Sequence, residues 1–267
     1  MARLILVFLV LLAAAVPARA EVVADLMRGE AIVTGRDNLE ERARGIRLAL
    51  TQVLVKACGD DRIAEHPQLP KHLAEAEALV RQIEYEDRKK GIQISDEQGT
   101  RDRSFFLRVD FDPEQVHAIL DALGFHSWRA DRPRLLVVLS VTDTRGQFVV
   151  GSEAERGVGQ RETLELDAHR RGLSLVIPKM DRVEAMALSH REVAEAHGGA
   201  IGALAMSYRA DAVLAGSMSI TSAGYWSTDW TLMADGMPEH WHVPDTTFDR
   251  AIAAGLGETA RVLSGER

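Results

Sequence analysis

Leu135-Leu136-Val137-Val138-Leu139 is an unbroken apolar run, and such continuity predicts a strand covered on both faces rather than one. The residues after it repeat the theme. A glycine-containing loop and a helix to about Arg171 lead to residues 173–177, a second short apolar strand broken by Pro178. Asp181, with Glu184 three residues on, opens a helical region that runs to Tyr208 with an interruption at Gly198-Gly199. Residues 210–215 read as a third apolar strand. Strand, helix, strand, helix, strand predicts right-handed crossovers and a three-layer α/β arrangement with a mainly parallel mixed sheet. Residues 225–233 add a strand in hairpin with the third, and residues 246–263 close the chain as an amphipathic helix.

The half before this run follows a different grammar. Residues 22–34 read as a strand ended by Gly35, and Asp37-Asn38-Leu39-Glu40 reads as a capping box with Asp37 as the cap. Leu39, Ala43, Ile46, Leu50, Val53, Leu54 and Ala57 recur at helical spacing and predict a core-facing stripe, with Arg42, Arg44, Arg47 and Lys56 largely outside it. A second, polar helix is expected over residues 71–80. Residues 83–88 and 104–111 read as antiparallel strands; in the second, Phe105, Leu107, Val109 and Phe111 alternate with Phe106, Arg108 and Asp110. Asp112-Pro113 starts a helix with proline where its missing N–H does no harm. Val116, Ile119, Leu120 and Leu123 give that helix its apolar face, and Gly124 ends it. The expectation is an N-terminal α+β domain over residues 21–127 and a C-terminal α/β domain over 128–267, with the seam in 125–133.

Ahead of both lies an address. Arg3 and the amino terminus supply positive charge, residues 4–16 are apolar, and Ala18-Arg19-Ala20 supplies a small-x-small cleavage pattern before Glu21. The apolar run is shorter than the roughly 20 residues a membrane span needs, and no cysteine follows it. Residues 1–20 are therefore expected to be a signal peptide cleaved after Ala20. The product is expected to be periplasmic, with no membrane anchor after cleavage. The chain carries 32 Lys and Arg against 40 Asp and Glu, a net charge of −8, which argues against nucleic-acid or anionic-membrane binding. With 46% hydrophobic residues it can build real cores, and its one cysteine, Cys58, forbids an intrachain disulfide. At the end of an apolar helix, Cys58 reads as a small buried hydrophobe.

Several segments together carry a likeness. The helix over 43–59 with Val53-Leu54-Val55, Arg108-Val109-Asp110-Phe111-Asp112, and Gly124 with Trp128 belong to one pattern. So do Arg132-Pro133-Arg134-Leu135-Leu136, Arg171-Gly172-Leu173-Ser174-Leu175 running into Pro178 and Asp181, Tyr208 with Asp211, and residues 214–216. With the exported start, the chain resembles the bacterial domain-of-unknown-function family 2066. Ser174 and Lys179 depart from that family's pattern, where proline and leucine are the commoner residues. The second half is also similar in layout to the amino-terminal domain of the Tol translocation protein, with related domains in flagellar assembly protein T and curli-secretion lipoproteins. The resemblance implies an adaptor role in envelope machines and no catalytic residues; fold alone does not fix function.

Four features could carry chemistry. His240 and His242 sit two apart, so on a strand both imidazoles would point the same way. A zinc site normally needs three or four protein ligands, the partners are not legible, and flanking Pro238 and Pro244 make the segment read as an exposed loop. Trp226, Trp230 and Trp241 cluster, with Trp226 and Trp230 on one strand face. Packing between sheet and final helix explains them; the functional alternative is an aromatic platform for a glycan or partner, with Trp241 the candidate binding residue at the surface. Residues 151–159 are glycine-containing and lie between strand and helix, but lack the Gly-Lys-Ser/Thr ending of a P-loop and carry two glutamates. Asp110 and Asp112 look paired, yet Asp112 is already accounted for as a helix cap.

No nucleophile elbow, cofactor motif or full ligand set is present. The expectation is a non-enzymatic soluble periplasmic protein, an envelope adaptor or assembly factor binding an envelope protein or glycan, without a cofactor. The alternative is an uncharacterised periplasmic hydrolase or a metal-dependent enzyme built around His240 and His242. A small-ligand carrier with a cleft between the domains is a third reading.

Overall fold

The computed structural model describes residues 21–22, 25–88, 90, 103–128, 131–196, 198–234 and 237–265. The expected signal peptide lies outside them. Strand β1 (Glu21–Val22) is followed by β2 (Arg28–Thr34), and helix α1 (Leu39–Cys58) opens at Asn38. The Asn38 side chain accepts from the backbone N–H groups of Glu40 and Glu41, so the cap is Asn38 and not the expected Asp37. Two acids in the first turn suit the positive end of the helix dipole. Gly59, at φ 78°, ends the helix in the left-handed region that glycine enters without strain.

The expected second helix is shorter. Helix α2 (Leu69–Leu73) gives way to a 3-10 turn over Ala76–Leu79. Strands β3 (Val80–Asp87) and β4 (Ser104–Phe111) then complete an antiparallel sheet in the order β2-β4-β3. Leu107, Val109 and Phe111 face inward as their alternation predicts, against Ile46, Leu50, Val53 and Leu54 of α1. Helix α3 (Pro113–Leu123) starts at Asp112, which accepts from the N–H groups of Glu114 and Gln115, and adds Val116, Ile119, Leu120 and Leu123 to the same core. The opposite face is a solvated lattice of charges: Arg28 grips Asp110 through two 2.6 Å hydrogen bonds, and Arg108 bridges Glu30 and Glu86.

Past the short β5 (Asp131–Arg132), which pairs with β1, comes β6 (Arg134–Asp143). All five residues of the run 135–139 are fully buried. Strand β7 (Gly146–Val149) folds back on β6; helix α4 (Val158–Arg171), β8 (Ser174–Val176), α5 (Arg182–Ala187), α6 (His190–Ala194) and α7 (Gly198–Tyr208) follow. Gly198-Gly199 therefore starts a helix rather than interrupting one. Strands β9 (Ala212–Ile220), β10 (Trp226–Met233) and β11 (Glu239–Thr246) and helix α8 (Phe248–Ser264) close the chain.

The sheet order is β11-β10-β9-β6-β7, with β8 also on β6. It is mixed, as expected, but not mainly parallel: among the described strands the antiparallel pairings outnumber the parallel ones. Parallel pairing is confined to β6 with β8 and β9, the strands reached by helical crossovers, while β7, β10 and β11 arrive through hairpins and pair antiparallel. Residues of α4 and α8 join Leu135, Val137 and Leu139 in a core on one face; Val193 of α6 and Ile201 and Leu204 of α7 join Leu136 and Val138 on the other. Three layers result. Trp230 is buried in the first core, and its indole is so close to Gly216 and Gly255 that a Cβ on either would lie 2.4 Å from the ring.

The second sheet's layers are clasped to the C-terminal end of α1. Trp128 N donates to Ala57 O at 2.8 Å, and Arg132 Nη2 donates to Lys56 O at 3.0 Å. Arg171 reaches Asp61 and holds Asp167 at 2.9 Å. Lys56, expected outside the core, is buried here, its ammonium donating to Arg28 O at 2.6 Å and Asp25 O at 3.3 Å.

Candidate functional site

The segment expected to be a loop around His240 and His242 is the edge strand β11, where proline is tolerated because an N–H can be missing on the open side. Alternation puts Trp241 and Val243 on the face toward α8 and both histidines on the other. Trp241 is half-buried against the core with its indole N–H enclosed, and Trp226 packs edge-on against Phe248. Trp230 is buried. Among the described residues the three tryptophans thus serve the sheet–helix core, and Trp241 presents little surface.

The two imidazoles do not converge on a common point. His240 Nδ1 lies 2.9 Å from Thr231 Oγ1 across the ladder. His242 Nδ1 lies 2.8 Å from Asp229 Oδ1, and its Nε2 lies 3.4 Å from Ser227 Oγ. Asp229 is the direct cross-strand partner of His242, and Ser227 sits two residues earlier on β10, so all three share one solvent-facing side. Opposite Ser227 the register slips, because Trp226 pairs with Thr246 and Thr228 with Val243. Pro244 and Asp245 together face one residue of β10, and Asp245 adopts φ 41°, uncommon for a non-glycine residue. No group of three or more His, Cys, Asp or Glu side chains suited to a metal ion occurs among the described residues.

The other candidates resolve into structure. Asp110 is occupied by Arg28. Asp112 caps α3 and pairs with Arg81 at 3.0 Å; its backbone hydrogen bonds, led by that from Gln115, hold its pKa below the ordinary carboxylate value. In the loop before α4, Arg161 ties Gly151 O and Ala154 O at 2.8 and 3.0 Å, and Glu153 pairs with Lys179. Cys58 is buried. Among the described residues no helix is long and apolar enough to cross a membrane.

A surface the sequence reading passed over lies on α5 and α7. None of the α5 side chains is buried; Val183 is 74% and Met186 83% exposed, and on α7 Met206 is 77% exposed. Tyr208 Oη ties the two helices by donating to Glu184 at 2.7 Å, while accepting from Lys179 N at 2.8 Å. Burial, the Glu184 hydrogen bond and nearby negative charge push the Tyr208 pKa upward, so its hydroxyl stays a donor. The apolar content of α7 was visible in the sequence; that only part of it would be covered was not.

No curated protein matches the chain. Residues 20–129, which take in the β2-β4-β3 sheet with α1 and α3, match a family model described as a domain of unknown function (DUF8605), a different number from that of the family its motifs resemble.

Proposed function

We propose that the protein is an exported envelope adaptor or assembly factor that binds another component of the periplasm through the apolar side of α5 and α7. The observation that carries the reading is the exposure of Val183 and Met186, three residues apart on α5, and of Met206 on α7, the helix that Tyr208 ties to α5. Large apolar side chains left exposed on neighbouring helices mark interaction surfaces, and methionine adapts to partners of varied shape. The leader supports delivery to the periplasm, and the acidic balance keeps the product off nucleic acid and anionic lipid. A protein partner fits better than a glycan, because the three clustered tryptophans a sugar would stack on are engaged in the core.

A photo-crosslinking residue placed at Met186 in intact cells tests the reading, with Arg170 on α4 as the control position. A defined envelope protein crosslinked at Met186 and absent at Arg170 is expected, and Val183→Lys with Met206→Lys should abolish it. Equal products at both positions, or none at Met186, would overturn the assignment.

A further inference from the structure

The geometry points to a nucleophilic site for carboxylic-ester cleavage at Ser227, with His242 as its base and Asp229 as the positioning residue. Its connectivity is what acyl transfer by a serine requires: hydroxyl to Nε2 at 3.4 Å, Nδ1 to carboxylate at 2.8 Å. A carboxylate at Nδ1 keeps the proton on that nitrogen, so Nε2 of the neutral ring is the acceptor that the Ser227 hydroxyl needs. The arrangement is made by one ladder. Asp229 faces His242 across it, Ser227 follows on the same side, and the slip opposite Ser227 re-aims the strand next to the nucleophile, a place where bulges recur in enzymes.

Ser219 lies directly across β9 from Ser227 on that face and offers a hydroxyl toward the oxyanion that develops on attack. Ser217 stands opposite Asp229 in the same row. The face is open to solvent, which suits an ester carried on a large or extended molecule. Esters fit better than amides, since an alkoxide needs less help to leave. In the first step Ser227 Oγ bonds the carbonyl carbon, its proton passes to His242 Nε2, and the ester C–O bond breaks as the alcohol takes that proton. Water then adds to the acyl carbon with His242 accepting its proton. The C–Oγ bond breaks, the proton returns to Ser227, and the acid departs.

The test uses purified full-length product and a fluorophosphonate probe, read by intact mass and peptide mapping, with no partner needed. One phosphonate at Ser227 is expected. Ser227→Ala should remove it, and His242→Ala and His242→Gln should each slow labelling by about a hundredfold or more, the scale of a general base. Asp229→Asn should slow it less, with Asp229→Glu recovering part of the rate, and Ser152→Ala on a distant loop should change nothing. All of these side chains are exposed or half-exposed, so unchanged thermal unfolding is expected throughout. Labelling elsewhere but not at Ser227, or wild-type labelling in both His242 variants, would overturn the proposal.

Discussion

The Arg132 guanidinium lies 3.6 Å from the centroid of the Trp128 ring, with Arg132 fully buried at the junction of the two sheets. Its Nη2 serves carbonyls at the end of α1 and at Trp128, where a cation also suits the negative end of the helix dipole. Nε and Nη1 have no hydrogen-bond partner. Burial pulls its pKa down to about 9, still high enough to keep it charged at neutral pH. Stacking and the two carbonyls offset part of the desolvation; the unpaired N–H groups leave the rest standing.

Two substitutions should therefore differ. Arg132→Ala removes the stack and opens a cavity, and should destabilise by about 2–4 kcal/mol. Arg132→Met keeps the volume while removing a buried, incompletely paired charge, and should cost less than about 1.5 kcal/mol. Urea denaturation at neutral pH measures both; equal losses would show that the charge itself, not the packing, secures the junction.

Two helix glycines should respond with opposite signs. In α8 a Cβ at Gly255 would meet Trp230 Cε2 at 2.4 Å, so Gly255→Ala should destabilise by roughly 1–3 kcal/mol despite the better helix former. In α7 nothing lies within 4 Å of a Cβ at Gly202, and Gly202→Ala should stabilise by about 0.5–1 kcal/mol. Thermal unfolding of the pair checks the direction.

Stability should fall as pH drops below the ordinary histidine value near 6.5. Burial lowers the pKa of His190, whose Nε2 lies 3.1 Å from Thr142 Oγ1, and burial with the Lys56 charge lowers that of His169. Between the folded and unfolded values the unfolded chain binds more protons, so acid favours unfolding. Paired carboxylates extend the loss to lower pH: Glu41, held by hydrogen bonds from Arg44 and the Thr34 N–H, lies at about 2, so its contribution disappears as pH falls from 4.5 through 2. Denaturation midpoints between pH 7 and 5 should slope less in a His190→Gln, His169→Gln double variant; an unchanged slope would refute the assignment.

The proposed export makes a simple mass prediction. The product recovered from the periplasm should begin at Glu21, and replacing Ala18 and Ala20 by bulky residues should leave the precursor uncleaved. Intact mass spectrometry of the fraction reads the start directly.

Elements whose signal is local were legible along the chain. The run 135–139 announced a doubly covered strand, the alternation in 104–111 a half-buried one, and Asp112-Pro113 and Gly124 the two ends of α3, because periodicity and caps act within one turn or one pleat. What depends on register and crossing emerged only when the strands and helices packed. Two prolines masked β11 until β10 gave it a partner, and only their pairing set Ser227 and Asp229 beside His242, fifteen and thirteen residues away in sequence. Trp241 turned inward for the same reason, since a period of two sends neighbours to opposite faces once an edge strand docks. Along the chain Lys56 falls largely outside the apolar stripe of α1 and Arg132 lies in the seam; the meeting of the two units around the end of α1 buried both.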